Sequence, residues 1–244
     1  MSGDQASVVR EAVILCGGLG TRLQGVIDDR PKALAEVLGR PFLEWIVRSL
    51  IATHGVDHII LATGYMGEMI ERRFEGMSLG AVRLSYSHEP RPLGTGGALR
   101  LASQLTSTSR LLVLNGDSYC RFDLTRLLDT QIGKSAAASL WLALVHDQDR
   151  FGSVSIDADG RIQEFREKVV LAGPQLVSAG VYLIERNSIM AIAPNHTVSL
   201  ERDVFPTLID KGVYGVIGGT GFIDIGTPES LAIADSVLAD ELSM

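Results

Sequence analysis

The chain has 244 residues, 46% hydrophobic and 6% aromatic, enough to bury the core of one large domain or of a domain with an insertion. Its formal net charge of −7 excludes a broad nucleic-acid surface, so an anionic ligand needs cations gathered locally, as at Arg22, Lys32 and Lys168. The longest apolar stretch, Ala136–Val145, is half of the ~20 residues a membrane-spanning helix requires, and the polar start carries no apolar signal region.

In chain order, Ala12–Cys16 is a continuous apolar run of strand length. The segment 40–55 has apolar residues around a wide helical face, with Pro41 suited to the first turn and Gly55 to the stop. Asp57–Gly64 reads as a strand, 67–74 as a short amphipathic helix, Val82–Ser87 as an alternating strand and 95–105 as a helix. Arg110–Asp117 has the apolar character of a central, fully buried strand. Such alternation predicts a mostly parallel central sheet flanked by helices, with ligands at the carboxyl ends of the strands. That rule sets the loops beginning at Gly17, His88 and Gly116 on one rim.

The second half has a different pattern. Segment 152–165 reads as a hairpin turning at Asp159-Gly160, and 176–185 as another strand. A helix is predicted over 199–212 with Ser199 as its cap, and 214–226 reads as paired strands. The last helix starts at Thr227, with Pro228 in its first turn and Leu231, Ala234 and Leu238 facing inward. No linker or repeat divides the chain, so residues 1–244 are read as one domain. Its halves run from about 11 to 133 and from about 134 to 244. Cys16 and Cys120 give neither a disulfide framework nor zinc spacing and read as small buried residues.

The stretch Leu15–Leu34, "LCGGLGTRLQGVIDDRPKAL", fits neither familiar phosphate loop. A dinucleotide fingerprint starting at Gly18 fails at Leu23, and a P-loop starting at Gly20 fails at Val26 and Ile27. What remains is G-G-x-G-T-R followed by Pro-Lys. Gly17, Gly18 and Gly20 let the backbone pass close to a base and to phosphates. Thr21 adds a hydroxyl, Arg22 a planar fork of donors and Lys32 a mobile point charge, with Pro31 fixing the chain before it.

These residues resemble the sugar-phosphate nucleotidyltransferases, whose signature is G-G-x-G-T-R-L with a downstream P-K. The resemblance continues in order through Glu89–Leu99, Leu114–Asp117, Phe151–Val154, Glu167-Lys168, Ser178–Ile184 and Phe222–Ser230. Within the family the likeness is greatest to short guanylyltransferases acting on D-glycero-α-D-manno-heptose 1-phosphate. Short mannose-1-phosphate guanylyltransferases and N-acetylmuramate-1-phosphate uridylyltransferases share much of the pattern.

The resemblance implies a Rossmann-like nucleotidyltransferase fold, with a small sugar-side β subregion, that joins GTP to a sugar 1-phosphate and releases pyrophosphate. The nucleophile is already an anion, so no general base is needed and catalysis rests on positioning and charge neutralisation. Arg22, Lys32 and Asp117 are the implied catalytic residues. Leu15, Gly17, Gly18, Gly20, Thr21, Arg22, Glu89, Gly94, Thr95 and Gly116 are implied for the nucleotide, with Thr95 also expected to cap its helix. Gly152, Glu167, Lys168 and Gly180 are implied for the sugar phosphate, and Asp117 with Asp224 for Mg2+. A soluble cytoplasmic enzyme, with no nucleic-acid or membrane partner and with room for a homodimer, is the expected setting. Cys16 replaces the family's usual Ala and Ser178 a common Asn, and no proline follows Glu167-Lys168, which bears on sugar choice. A non-catalytic nucleotide-sugar sensor on the same fold is the alternative of a different class.

Overall fold

The computed structural model describes residues 9–23, 25–146, 151–166, 173–218 and 221–243, with side chains as far as residue 240. Four parallel strands build the first half of the central sheet: β1 (Glu11–Leu15), β2 (His58–Thr63), β3 (Arg83–His88) and β4 (Arg110–Asn115), in the order β4-β1-β2-β3. Alternate residues feed opposite layers, as a pleated strand requires. Ile14, Leu61 and Leu112 pack with Phe42, Ile46 and Leu50 of helix α1 (Phe42–His54) and with Ala234 and Leu238 of the last helix. Val13, Ile60 and Val113 pack on the other face with Leu99, Phe205 and Leu208. Both faces are covered, which is why these strands read as unbroken apolar runs.

The second half adds β5 (Ala138–Val145), β6 (Ser153–Ile156), β7 (Ile162–Arg166), β8 (Gln175–Glu185) and β9 (Val213–Ile217) to the same nine-stranded sheet. Strand β8 is the hinge between the halves. Its Val181–Glu185 segment pairs antiparallel with β4, while β5 lies along its other side. The β5 register breaks between Ser178 and Tyr182, where Gly180 adopts φ 73° against Asn115. A Cβ at Gly180 would lie 2.9 Å from Asn115 Nδ2, so the bulge requires glycine twice over, in backbone angle and in space.

Most predicted elements fall within a residue or two of their expected bounds; three local readings change. Pro41 precedes α1 as its cap residue rather than sitting in the first turn. The predicted helix over 199–212 is three consecutive turns: a π-type turn Leu200–Val204, α-helix Phe205–Leu208 and a 3-10 turn Ile209–Lys211. Ser199 caps it as expected, its Oγ accepting from Arg202 N at 3.3 Å. The segment 214–226 does not fold back on itself. β9 pairs in parallel with β5, whereas Ile223–Asp224 pairs antiparallel with Ser118–Tyr119. Alternating apolar residues announce strands but not partners, and here the partners lie far upstream.

Candidate active site

The carboxyl ends of β1, β2, β3 and β4 form one rim, and the loop after β1 lies along it. Leu23, 1% exposed, anchors that loop in the core at the end of a 3-10 turn, Thr21–Leu23. Among the described residues, the amides of Gly17, Gly18, Leu19 and Gly20 find no acceptor within the protein. Four successive unpartnered donors at a cleft surface suit an anion. A Cβ at Gly17 would lie 2.5 Å from Glu89 Oε1, so this glycine is demanded by the carboxylate beside it.

A cavity of about 440 Å³ opens at this rim. All ten residues expected on the nucleotide side line it: Leu15, Gly17, Gly18, Gly20, Thr21, Arg22, Glu89, Gly94, Thr95 and Gly116. Lys32, Asn115, Asp117 and Gly226 complete one end. Cys16 also lines it, with its Sγ donating to Ala62 O at 3.3 Å; burial and then the charge of Glu89 push the thiol pKa up. The thiol is therefore neutral and acts as a small apolar filler, as its burial and that of Cys120 were expected to make them.

Two details in the second glycine segment differ from expectation. Thr95 does not cap helix α2 (Gly94–Ala102); Leu93 holds the cap position and its amide donates to Glu89 Oε2 at 2.8 Å. Thr95 Oγ1 instead accepts from Leu200 N at 2.8 Å, tying α2 to the π-type turn. Gly94 has φ 68°, and a Cβ there would stand 2.6 Å from Val198 O. The close approach that requires glycine is thus to the protein's own backbone.

The two aspartates meet at the end of the cavity. Asp117 follows β4 across Gly116, and the short ribbon Ile223–Asp224 brings Asp224 alongside Ser118. Ser118 Oγ lies 3.3 Å from both Asp117 Oδ1 and Asp224 Oδ2, and Ile225 N donates to Asp117 O at 2.9 Å. Burial and then the charge of Asp117 push the Asp224 carboxyl pKa up, against the pull of Lys32, the Gly226 amide and Arg22. Lys32 Nζ sits 2.7 Å from Asp117 Oδ2. A Cβ at Gly226 would lie 3.1 Å from Arg22 Nη2 and 3.2 Å from Lys32 Nζ, so both cations converge on the acids.

A second cavity of about 570 Å³ shares Arg22, Asn115 and Asp117 with the first and continues past Asp224. Gly152 lines it, backed by Arg166 O; Gly180 lines neither cavity and acts through the bulge at Asn115. Glu167 and Lys168 lie outside the described residues. The structure adds Asn115, Ser118, Tyr182 and Glu201, which the local pattern did not mark, and brings Ser178, the replacement for a common Asn, beside them. Tyr182 OH donates to Glu201 Oε1 at 2.9 Å. Burial, and then the charge of Glu201, push the phenol pKa up. Although the Glu201 side chain is open to the cleft, crowding by protein pushes its carboxyl pKa up as well, against hydrogen bonds from Tyr182 and Ser178. Their signal was long-range pairing, invisible to spacing rules.

No cluster of three or more His, Cys, Asp or Glu among the described residues is arranged to hold a metal. The two facing aspartates still fit a Mg2+ ion, which needs only one or two carboxylates when phosphate and water complete its octahedron. No helix among the described residues is long and apolar enough to cross a membrane.

The profile of the nucleotidyl transferase family matches residues 11–241. The chain belongs to that family. This nucleotidyl transferase is 37% identical over 223 residues to mannose-1-phosphate guanylyltransferase of Mycobacterium tuberculosis, covering 90% of the present chain but 62% of that relative. It is 35% identical over 229 residues to D-glycero-alpha-D-manno-heptose 1-phosphate guanylyltransferase of Aneurinibacillus thermoaerophilus, covering 93% of the chain and 98% of the relative. The crystal structure of HddC from Yersinia pseudotuberculosis complexed with GMP-PN superposes with a TM-score of 0.82 at 30% identity, covering 94% of this chain and 100% of that one. The α/β sheet expected from strand-helix alternation is therefore the fold of a nucleotidyl transferase.

Proposed function

We propose that the chain is a guanylyltransferase that condenses GTP with D-glycero-α-D-manno-heptose 1-phosphate. One observation carries the reaction class. A rim of unpartnered amides with Arg22 and Lys32 opens, across two aspartates, into a second cavity that shares Arg22, Asn115 and Asp117. Two anions must be brought together in line, and this is a place where each has its own cavity and both meet the same cation, Arg22.

In this reading the loop amides and Thr21 hold the triphosphate, with the base against Leu15, Glu89 and Thr95. Residues 11–133 serve the nucleotide and much of 134–244 the sugar. A sugar-phosphate oxygen forms the new bond to the α-phosphorus as the bond to pyrophosphate breaks. No proton has to be removed from the nucleophile. Arg22, exposed and lining both cavities, meets charge developing on the α-phosphate, and Lys32 meets the leaving pyrophosphate. Asp117 and Asp224 would hold Mg2+, which when bound neutralises the phosphates and acts as a Lewis acid. Ser118 fixes the spacing of the two acids through its hydroxyl.

The guanine nucleotide is supported by the guanylyltransferases among the relatives and by the GMP-PN complex. The heptose is supported by full-length correspondence with the Aneurinibacillus relative, 98% of which is covered. Mannose 1-phosphate is the second reading, favoured by the slightly higher identity, 37%, to the Mycobacterium relative. The presence of Arg22, Lys32, Asp117 and Asp224 together weighs against a sensor. Pyrophosphate release measured for GTP, UTP, CTP and dTTP against both sugar phosphates, with Mg2+, tests the proposal. Release with GTP and heptose 1-phosphate is expected; tight GTP binding with no turnover on either sugar would overturn it.

A further inference from the structure

The sugar-side cavity holds a hydrogen-bonded group that bond formation at phosphorus does not use. Tyr182 is 1% exposed, and its phenol proton is committed to Glu201 Oε1 at 2.9 Å. The phenol oxygen lies 3.3 Å from Ser178 Oγ and 3.4 Å from Asn115 Nδ2. Glu201 itself sits on a turn whose backbone is fixed at three points. Leu200 N donates to Thr95 Oγ1 at 2.8 Å, Ser199 N to Asp203 Oδ2 at 2.7 Å, and Arg202 N to Ser199 Oγ at 3.3 Å.

An ionised carboxylate has about four acceptor sites, and the Tyr182 and Ser178 hydroxyls each carry one proton. Glu201 therefore keeps acceptor capacity directed to a cavity of about 570 Å³ that it lines. Phe151 and Phe222 line the same cavity, their rings 5.4 Å apart and tilted by 58°. Fixed acceptors together with an apolar surface suit a polyhydroxylated ring, which offers O–H donors at its edge and C–H groups on its face. The phosphate end of such a substrate belongs with Arg22, since the acids that crowd Glu201, Asp117 and Asp224, repel added negative charge unless a cation intervenes.

We infer that Glu201, held by Tyr182, is the acceptor for one ring hydroxyl of the sugar 1-phosphate and thereby a specificity-determining residue, with Phe151 and Phe222 as the apolar wall of that subsite. Tyr182 acts as a positioning residue. The inference rests on the proposed transferase reading. A site built to accept a hydroxyl rejects the analogue that lacks it, because the acceptor is left unpaired.

The test pairs a protein change with a substrate change. Whichever of mannose 1-phosphate and D-glycero-α-D-manno-heptose 1-phosphate turns over is assayed beside its monodeoxy analogues, with wild type, E201Q and Y182F. E201Q is expected to lower kcat/KM for the parent sugar about 10- to 100-fold, the range for a hydrogen bond to a charged group, while leaving the KM for GTP within about twofold. One analogue, the one missing the bonded hydroxyl, is expected to be used equally by wild type and E201Q. Y182F, which keeps the ring, is expected to show the same analogue-selective pattern more weakly. An equal proportional loss for the parent and every analogue, or no loss in E201Q, overturns the inference and leaves the reaction class standing. No turnover of either parent sugar by wild type overturns the transferase reading and this inference with it.

Discussion

The nucleotide rim and the sugar-side cavity are built by different means. Much of the rim is backbone: glycines 17, 18, 20, 94 and 116 line it, each in a loop leaving a parallel strand or at the start of the helix that follows. The sugar side is made of side chains from β6, β7, the β8 bulge, the turn 200–204 and the ribbon at 223–224. Amides and guanidinium groups suit phosphate, which every nucleotide shares, whereas a tied pair such as Tyr182 and Glu201 is proposed to select a particular pattern of hydroxyls. In the proposed reading the difference teaches that the chemistry and the choice of sugar sit in separate parts of the molecule, joined by Arg22, Asn115 and Asp117, which line both cavities.

The joint should give the largest effect. Asp117→Asn is expected to lower pyrophosphate release about a thousandfold while circular dichroism stays that of wild type, since loss of one preorganised charge-stabilising group reaches that scale. An unchanged rate would remove Asp117 from the joint. Arg22→Met is expected to lower kcat/KM about a hundredfold for both substrates. If only the sugar KM rises, Arg22 belongs to the sugar side and the shared arrangement fails. Gly94→Ala separates backbone demand from ligand demand. The left-handed angle and the contact with Val198 O together are expected to cost about 2 kcal/mol in denaturant unfolding.

The smallest effect is expected far from either cavity. Glu44 of α1 is 2% exposed and accepts from Arg40, Arg48 and Arg73 at 3.0, 2.8 and 2.7 Å. Burial pushes its carboxyl pKa up, but Arg48, Arg40 and then Arg73 outweigh that and hold it below its ordinary value of 4.5. A depressed acid stabilises the fold above the unfolded pKa and loses that contribution as the pH falls through the folded one. The stability difference between wild type and Glu44→Gln should therefore be full at neutral pH and shrink below about pH 4.5, with neither KM changed. A change in either KM would show that α1 communicates with the site.

The rim was legible because its information is local. Gly17 to Lys32 is one segment, and strand-helix alternation set the loops at Gly17, His88 and Gly116 side by side. The sugar side was less so. Nothing near Glu201 in the chain announces Tyr182, and the alternation at 214–226 did not reveal that its two strands pair with Ala138–Leu142 and Ser118–Tyr119. Glycine itself was ambiguous: the pattern showed that Gly94 and Gly180 mattered, but the atoms that exclude a side chain are Val198 O and the Asn115 amide rather than a ligand. Thr95 stands where a helix cap is expected but holds another segment's amide.

The ribbon that seats Asp224 also bears on how the chain matures during synthesis. The Ser118–Asp224 contact closes over 106 residues, so the first acid leaves the ribosome long before the second. In the proposed reading, a nascent chain that has reached β4 carries the glycine loop and Asp117 but lacks the second acid until the late ribbon docks. Turnover would then wait on that docking, whatever the rest of the sheet had already formed.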